Sequence, residues 1–148
     1  MFKKLFNKLF NKTNFEPMSF KQGFDLTELP VITLYQGDKK FNFLLDTGSN
    51  DSIIDKNILG SIEHTVTNKS SNVFGFEGNK KAVPICSIVL TYKNNKYEYD
   101  YLVSDMAACF GNIKQETGVT LHGIIGSKFF NQYKYVIDFD ELIAYSKA

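Results

Sequence analysis

The sequence has few cysteines, almost no net charge and no long apolar run, and each absence excludes a class of protein. Its two cysteines, Cys86 and Cys109, occur without a Cys-x-x-Cys motif or a Cys/His cluster, so a zinc site is not supported. A net charge of +1 argues against a surface that binds nucleic acid. No stretch approaches the ~18 apolar residues of a membrane span. We therefore expect neither a metal nor a nucleic-acid partner.

The N-terminus also lacks the pattern of a secretory signal. Asn7, Lys8, Asn11 and Lys12 interrupt the apolar region that such a signal needs. We expect a cytoplasmic protein in which both thiols are buried and reduced. A disulfide is the alternative in an oxidising compartment.

Length and composition favour one mostly β domain. The chain has 148 residues, 15% of them aromatic, with 14 Phe, 8 Tyr and no Trp. A chain of this length can bury a core of its own, and Phe and Tyr favour strands. We predict an all-β domain over residues 29–148, preceded by an arm over residues 1–28.

The arm begins with an amphipathic pattern. Apolar residues recur at helical spacing, namely Phe2, Leu5, Phe6, Leu9 and Phe10. Residues 1–12 also carry four lysines and no acid. Three interpretations stay open: a helix packed on its own domain or on a dimer partner, a helix in peripheral contact with an anionic membrane, and a disordered end. Residues 13–28 are polar, lack a clear period and are predicted to form a linker.

Alternating, β-rich stretches predict three hairpins. Their paired strands are residues 31–35 with 41–45, 85–92 with 97–103, and 133–139 with 142–145. A fourth stretch, residues 73–83, has the pattern of two extended arms around a Gly-containing turn. A Gly-x-x-Gly clamp for nucleic acid is disfavoured there, because such clamps join helices.

Shorter elements are expected between the hairpins. Residues 52–54 and 123–126 are short strands, and Asp55 caps a helical turn that ends at Gly60. Ser127 is expected to cap a brief helix, and another short helix is expected within residues 104–122. His64 and His122 have no partner evident from spacing and are expected to be surface or satisfied core residues.

Residues 41–54 are the stretch around which the chain is organised. The apolar run Phe41 to Leu45 ends abruptly in Asp46, Thr47 and Gly48, and a second apolar run follows. An ordinary hairpin loop is the simple interpretation, since Asp and Gly are common turn residues. However, the acid follows Leu44-Leu45 directly and so leaves a buried strand. A second apolar-apolar-Gly stretch, Ile124-Ile125-Gly126, lies far downstream.

These residues resemble the aspartic protease family. Leu44-Leu45-Asp46-Thr47-Gly48-Ser49 is similar to its active-site signature, and Ile124-Ile125-Gly126 is similar to the apolar-apolar-Gly that follows the flap. The order of these two motifs along the chain and the separation between them resemble one lobe of the retropepsin type. The resemblance implies an all-β, single-lobe barrel with one or two short helices, and no cofactor.

The resemblance also implies a role for each neighbour of Asp46. Thr47 would bond across two such loops, Gly48 would let backbone amides approach the carboxylate, and Ser49 would bond to a carboxylate oxygen or to peptide. Further residues would line the cleft or form the flap tip, or would pack beneath the loop. The cleft and flap residues are Asn50, Asp51, Phe74, Gly75 and Phe76, and the packing residues are Ile124, Ile125 and Gly126.

One acid per chain implies two chains. Peptide hydrolysis by this route uses two carboxylates that share one proton, one acting as base and the other as acid. The sequence supplies Asp46 and contains no second Asp-Thr/Ser-Gly. A homodimer in which Asp46 of each chain meets at the axis completes the pair. We predict a homodimeric aspartic endopeptidase whose substrate is a polypeptide.

The sequence departs from the retroviral pattern in two places. Asn50 stands where retroviral members usually have an acid, and Ser127-Lys128 stands where they have an arginine. The last hairpin is closer to cellular and bacterial members. The alternative function is a retropepsin-fold module that dimerises or binds peptide without cleaving it. A third is a membrane-docked interaction protein.

Overall fold

The computed structural model of the chain describes residues 19–74 and 80–147. The described residues contain nine strands, in chain order β1 Val31–Gln36, β2 Lys39–Leu45, β3 Ile53–Asp55, β4 Thr65–Phe74, β5 Lys80–Tyr92, β6 Asn95–Ser104, β7 Gly123–Ile125, β8 Tyr135–Asp138 and β9 Ile143–Ser146. Three short α-helices lie in the described residues: α1 Phe20–Thr27, α2 Ala107–Thr117 and α3 Ser127–Gln132. A 3-10 helix spans Lys56–Ser61.

The strands close into a barrel of six, with a seventh strand attached. The hydrogen-bonded order is β1-β2-β7-β3-β6-β5-β4, and Tyr35 of β1 pairs with Thr91 of β5 to complete the ring. The long strand β5 pairs with β4 near one end and with β1 near the other. The all-β, single-lobe barrel predicted from the sequence is confirmed.

The three predicted hairpins are present. β1 pairs with β2 from Val31↔Leu44 to Gln36↔Lys39, and β5 pairs with β6 from Ile85↔Leu102 to Tyr92↔Asn95. β8 and β9 form a separate two-stranded sheet. Side chains point alternately inward, and the core includes Phe43, Ile54 and Tyr101, each at most 1% exposed.

Two small details of the sequence prediction are wrong. The N-cap of α3 is Gly126 rather than Ser127, and no side chain caps that helix. Cys86 is buried but Cys109 is exposed, and both thiols are free. Asp55 does cap the 3-10 helix, because its carboxylate accepts a hydrogen bond from Asn57 N.

Helix α1 replaces the end of the predicted linker. It packs on β1 so closely that a Cβ on Gly23 would lie 2.4 Å from Val31 O. Phe20 is 3% exposed and belongs to the barrel core. The sequence pattern missed this helix because Gly23 and Thr27, two of its three buried residues, are not apolar side chains that would mark a buried face. The boundary that we set at residue 28 stays a prediction.

The predicted amphipathic helix of residues 2–12 lies outside the described residues. None of the helices within residues 19–74 and 80–147 is long and apolar enough to cross a membrane.

Candidate active site

The Asp46 loop lies where three strands meet. β2 runs parallel to β7 with Leu45 opposite Ile125, and β3 runs antiparallel to β7 with Ile53 opposite Ile124. The loop of residues 46–52 therefore leaves β2, crosses the end of β7 and returns as β3. Its two ends are fixed by strands buried in the barrel, which positions the acid at a defined point.

Asp46 is tied into this loop through its main chain and its carboxylate. Asp46 N donates to Ile125 O at 2.9 Å, and Ser49 N donates to Asp46 O at 3.2 Å. Gly48 N donates to Asp46 Oδ1 at 2.9 Å. The Asp46 side chain is half-buried, whereas Thr47 and Gly48 are exposed. The loop thus holds a carboxylate in fixed orientation and presents its tip to solvent.

Gly126 packs directly against the backbone of the acid loop. A Cβ at this position would lie 2.4 Å from Asp51 O and 2.7 Å from Ser49 O, closer than real Cβ atoms approach backbone. Ser127 N donates to Ser49 O at 2.7 Å. The predicted Ile124-Ile125-Gly126 stretch therefore lies directly against the acid loop.

Ser52 is a supporting residue that sequence reasoning missed. Its side chain is 1% exposed, and Ser52 Oγ accepts a hydrogen bond from Gly126 N at 3.0 Å. Its carbonyl oxygen accepts from Leu102 N at 2.9 Å, which ties the loop to β6. No sequence signal separates this serine from the other polar residues of the loop.

In the single chain, the side chain of Ser49 forms a hydrogen bond within its own loop. Ser49 Oγ donates to Asp51 O at 2.7 Å, two residues along the same loop. Within this single chain, Ser49 therefore stabilises the turn of the loop, and its bond to a carboxylate oxygen or to peptide stays a prediction.

An ion pair joins the loop to α3. Lys128 Nζ lies 2.9 Å from Asp51 Oδ1, and Lys128 N donates to Asn50 O at 3.2 Å. The hydrogen bond to Asp51 and the charge of that carboxylate raise the pKa of Lys128. Asp51 and Lys128 thus form a charged pair that links the acid loop to α3. The two residues lie 77 positions apart, so spacing did not reveal the contact.

Aromatic packing places α3 and hence Lys128. Phe129 is 1% exposed, with ring centroids 5.4 Å from Tyr97 and 5.2 Å from Tyr99 of β6. Tyr133 packs on the same ring at 4.7 Å. Because Phe129 is fixed in the core, its neighbour Lys128 points across the loop toward Asp51.

A polar cleft of about 530 Å³ opens beside Asp51. It lies between the acid loop, α3 and the sheet of β4, β5 and β6. Its walls are Asp51, Ser52, Ser70, Ser71, Ile85, Ser87, Glu98, Tyr99, Asp100, Leu102, Lys128 and Gln132. Burial raises the pKa of Tyr99 in this wall, so its hydroxyl stays protonated and available as a hydrogen-bond donor.

The predicted flap residues are described only in part. β4 and β5 pair as far as Phe74↔Lys80, and the register shifts between Val66 and Ser70. Gly75 and Phe76 lie outside the described residues. Within the described parts of the chain, no group of three or more His, Cys, Asp or Glu side chains is placed to hold a metal ion.

His122 has a structural partner. Its Nδ1 accepts a hydrogen bond from Asn42 N at 2.8 Å, and its ring packs edge-on against Phe41 at 5.4 Å. Burial is the main cause that lowers the pKa of His122, and the charge of Asp55 acts in the opposite direction. The histidine therefore connects β2 to the segment before β7.

Comparison with solved structures finds retropepsin-like proteins. The retroviral protease-like domain of Ddi1 from Leishmania major is 12% identical with a TM-score of 0.52, covering 80% of this chain and 88% of that one. The EIAV protease bound to the inhibitor HBY-793 is 16% identical with a TM-score of 0.48, covering 73% of this chain and 90% of that one. A retropepsin-like aspartic protease from Rickettsia conorii is 15% identical with a TM-score of 0.44, covering 73% of this chain and 75% of that one.

No protein-family model and no curated protein matches this chain. The chain has a retropepsin-like fold, and this conclusion rests on its structural similarity to the Leishmania domain. At such low identity the likeness concerns the fold.

Proposed function

We propose that this chain is an aspartic endopeptidase that works as a homodimer, with one catalytic Asp46 from each chain. The single observation that carries the proposal is the geometry of Asp46. Its carboxylate is half-buried, accepts a hydrogen bond from Gly48 N at 2.9 Å and stands on a loop braced by a glycine. Hydrolysis of peptide bonds by a carboxylate pair needs such a fixed acid.

The exposed tip of the acid loop is accessible for contact with a second chain. Thr47 and Gly48 are exposed in the single chain and flank the acid. In a two-fold dimer, the same loop of a partner meets this tip, and each Asp46 supplies half of a carboxylate pair. Because two carboxylates in contact do not both ionise, the pair holds one proton and titrates as a unit. The ionised carboxylate then activates water while the protonated one donates to the peptide carbonyl.

The substrate would be an extended polypeptide. A peptide that adds a strand beside the hairpin of β4 and β5 would place alternate side chains toward the cleft. Asp51 of the acid loop and Lys128 of α3 both line that cleft. Phe74, Gly75 and Phe76 would form the tip of a flap that closes over the peptide and excludes water.

The test is cleavage of an unfolded polypeptide by the purified full chain at mildly acidic pH. Asp46→Asn keeps the shape of the side chain and removes its acid, so we expect cleavage to disappear. The matched control is Asp38→Asn, which makes the same change at an exposed turn between β1 and β2 and should leave cleavage intact. Cleavage that survives Asp46→Asn would contradict the proposal.

A binding module without turnover is the alternative function. Wild type and Asp46→Asn would then bind peptide with equal affinity, and neither would cleave it. A peptide array read by binding and by mass spectrometry separates the two functions in one experiment.

A further inference from the structure

The last hairpin has apolar side chains on both faces. Tyr135, Ile137 and Ala144 pack against the barrel core. Residues paired across the two strands share a face, so Val136 with Tyr145 and Asp138 with Ile143 form the outer face. A two-stranded sheet is only marginally stable in water on its own. A cover on the outer face would therefore stabilise this hairpin.

The exposed apolar surface of this hairpin, here called the hairpin patch, consists of Phe139, Ile143 and Tyr145. These side chains are 57%, 46% and 41% exposed. They are three of the five large hydrophobic residues that are exposed among the described residues. Three such residues lie within one short hairpin, and a cluster of exposed apolar residues, in contrast to a single one, is a candidate interaction surface.

The N-terminal segment enters the domain beside this patch. The ring of Phe20, the first residue of α1, lies 5.4 Å from that of Phe139, and the ring of Phe24 lies 6.2 Å from it. The six residues 13–18 that separate residues 2–12 from Ser19 can span at most about 20–22 Å. β9 has four residues and is therefore about 14 Å long. Residues 2–12 can thus reach the whole patch.

Charge also favours contact between the N-terminal segment and the hairpin patch. Residues 1–12 carry four lysines and no acid. The hairpin turn carries Asp138, Asp140 and Glu141, and Asp138 Oδ1 accepts hydrogen bonds from the main chain of the other two at 2.9 and 3.0 Å. The turn is therefore a fixed acidic group next to apolar side chains, opposite in charge to the segment.

We propose that residues 2–12 dock on the hairpin patch of the same chain as an amphipathic helix. The apolar residues of the segment cover Ile143 and Tyr145, and its lysines face the acidic turn. A helix of this length is about 16 Å long, which matches the length of β9. Docking is intramolecular, so the short tether gives it a high effective concentration.

Hydrogen exchange on the full chain tests the docking. Phe6→Ser with Leu9→Ser removes two apolar side chains of the segment, and we expect the amides of β9 to exchange about tenfold faster. The matched control is Asn7→Ser with Asn11→Ser, which places the same two serines on the polar face and should leave β9 unchanged. The amides of β6 serve as an internal reference. Equal exchange of β9 in both variants would overturn the proposal.

A zero-length cross-linker identifies the occupant. With equal amounts of ¹⁴N- and ¹⁵N-labelled chains, we expect links between lysines of residues 1–12 and Asp140 or Glu141 within chains of one label. Links that mix the labels would assign the patch to a second copy and overturn docking within the chain. Protection of β9 that appears only with anionic vesicles would assign the segment to a membrane and would also overturn it.

Discussion

At the scale of single residues, the acid loop depends on a position that has no side chain. The carbonyl groups of Ser49 and Asp51 occupy the space where a Cβ of residue 126 would stand. These carbonyls belong to a loop held by hydrogen bonds at both ends, so they cannot move aside without displacing Asp46.

Gly126→Ala is therefore expected to lower the free energy of unfolding by about 1–3 kcal/mol, as overpacking usually does. It should also lower peptide cleavage more than this loss of stability explains. Chemical denaturation and cleavage measured on the same protein check both effects. Gly111→Ala is the control, because nothing lies within 4 Å of the position that its Cβ would take and the residue is inside α2. That change should raise stability by about 0.5–1 kcal/mol.

The ion pair between Lys128 and Asp51 is expected to matter little for stability. Its side chains are 64% and 41% exposed, so solvent screens the pair. Lys128→Met should change the free energy of unfolding by less than about 1 kcal/mol. Peptide affinity should change more, because both side chains line the cleft.

A double-mutant cycle with Asp51→Asn measures this pair directly. We expect a coupling of less than about 1 kcal/mol in unfolding, falling as salt is added. A much larger coupling would mean that the pair, and not Gly126 and Ser52, holds the loop in place.

At the scale of elements, His122 joins β2 to the chain that leads into β7. Its Nδ1 accepts a hydrogen bond from Asn42 N. A proton on Nδ1 would turn this acceptor into a donor, and the hydrogen bond would be lost. Burial lowers the pKa of His122 in the folded state below its ordinary value of about 6.5. Between the folded and unfolded pKa values the unfolded chain binds more protons, so stability rises with pH across that window.

The expected result is a fold that is most stable above about pH 6.5 and loses stability as pH falls through the window. Denaturant unfolding from about pH 7.5 to about pH 5 measures the slope. His122→Gln cannot take up this proton, so its slope should be smaller than that of the wild type. Equal slopes would show that protonation of His122 does not contribute to acid destabilisation.

Elements that form by local pairing could be predicted from the sequence itself. The long-range contact of Ile124-Ile125-Gly126 with the acid loop was predicted only through the family resemblance, and the other long-range contacts of the site were not predicted. The hairpin of β1 and β2 follows from alternation and from a Gly-Asp turn. Helix α1 was missed because Gly23, which has no side chain, makes its closest approach to β1. Ser52 and Lys128 were missed for a different reason. Their partners, Gly126 and Asp51, lie 74 and 77 residues away, and only the closed barrel brings them together.

At the scale of the whole molecule, the barrel places one acid loop at its surface. β7 lies between β2 and β3, and the loop crosses its end with the tip exposed. One chain therefore provides a single Asp46 in a fixed orientation. The proposed activity requires a second copy of that loop, and the requirement can be tested without knowledge of the dimer contacts.

Mixing wild-type and Asp46→Asn chains tests whether one active unit contains two acids. If chains exchange freely, adding an equal amount of Asp46→Asn should lower the wild-type cleavage rate to about half, because mixed dimers lack one acid. Larger excesses of the variant should lower the rate further. A chain that acts alone would keep its full rate at every ratio. The Asp38→Asn chain is the control partner, since its dimers retain both copies of Asp46 and should add to the rate.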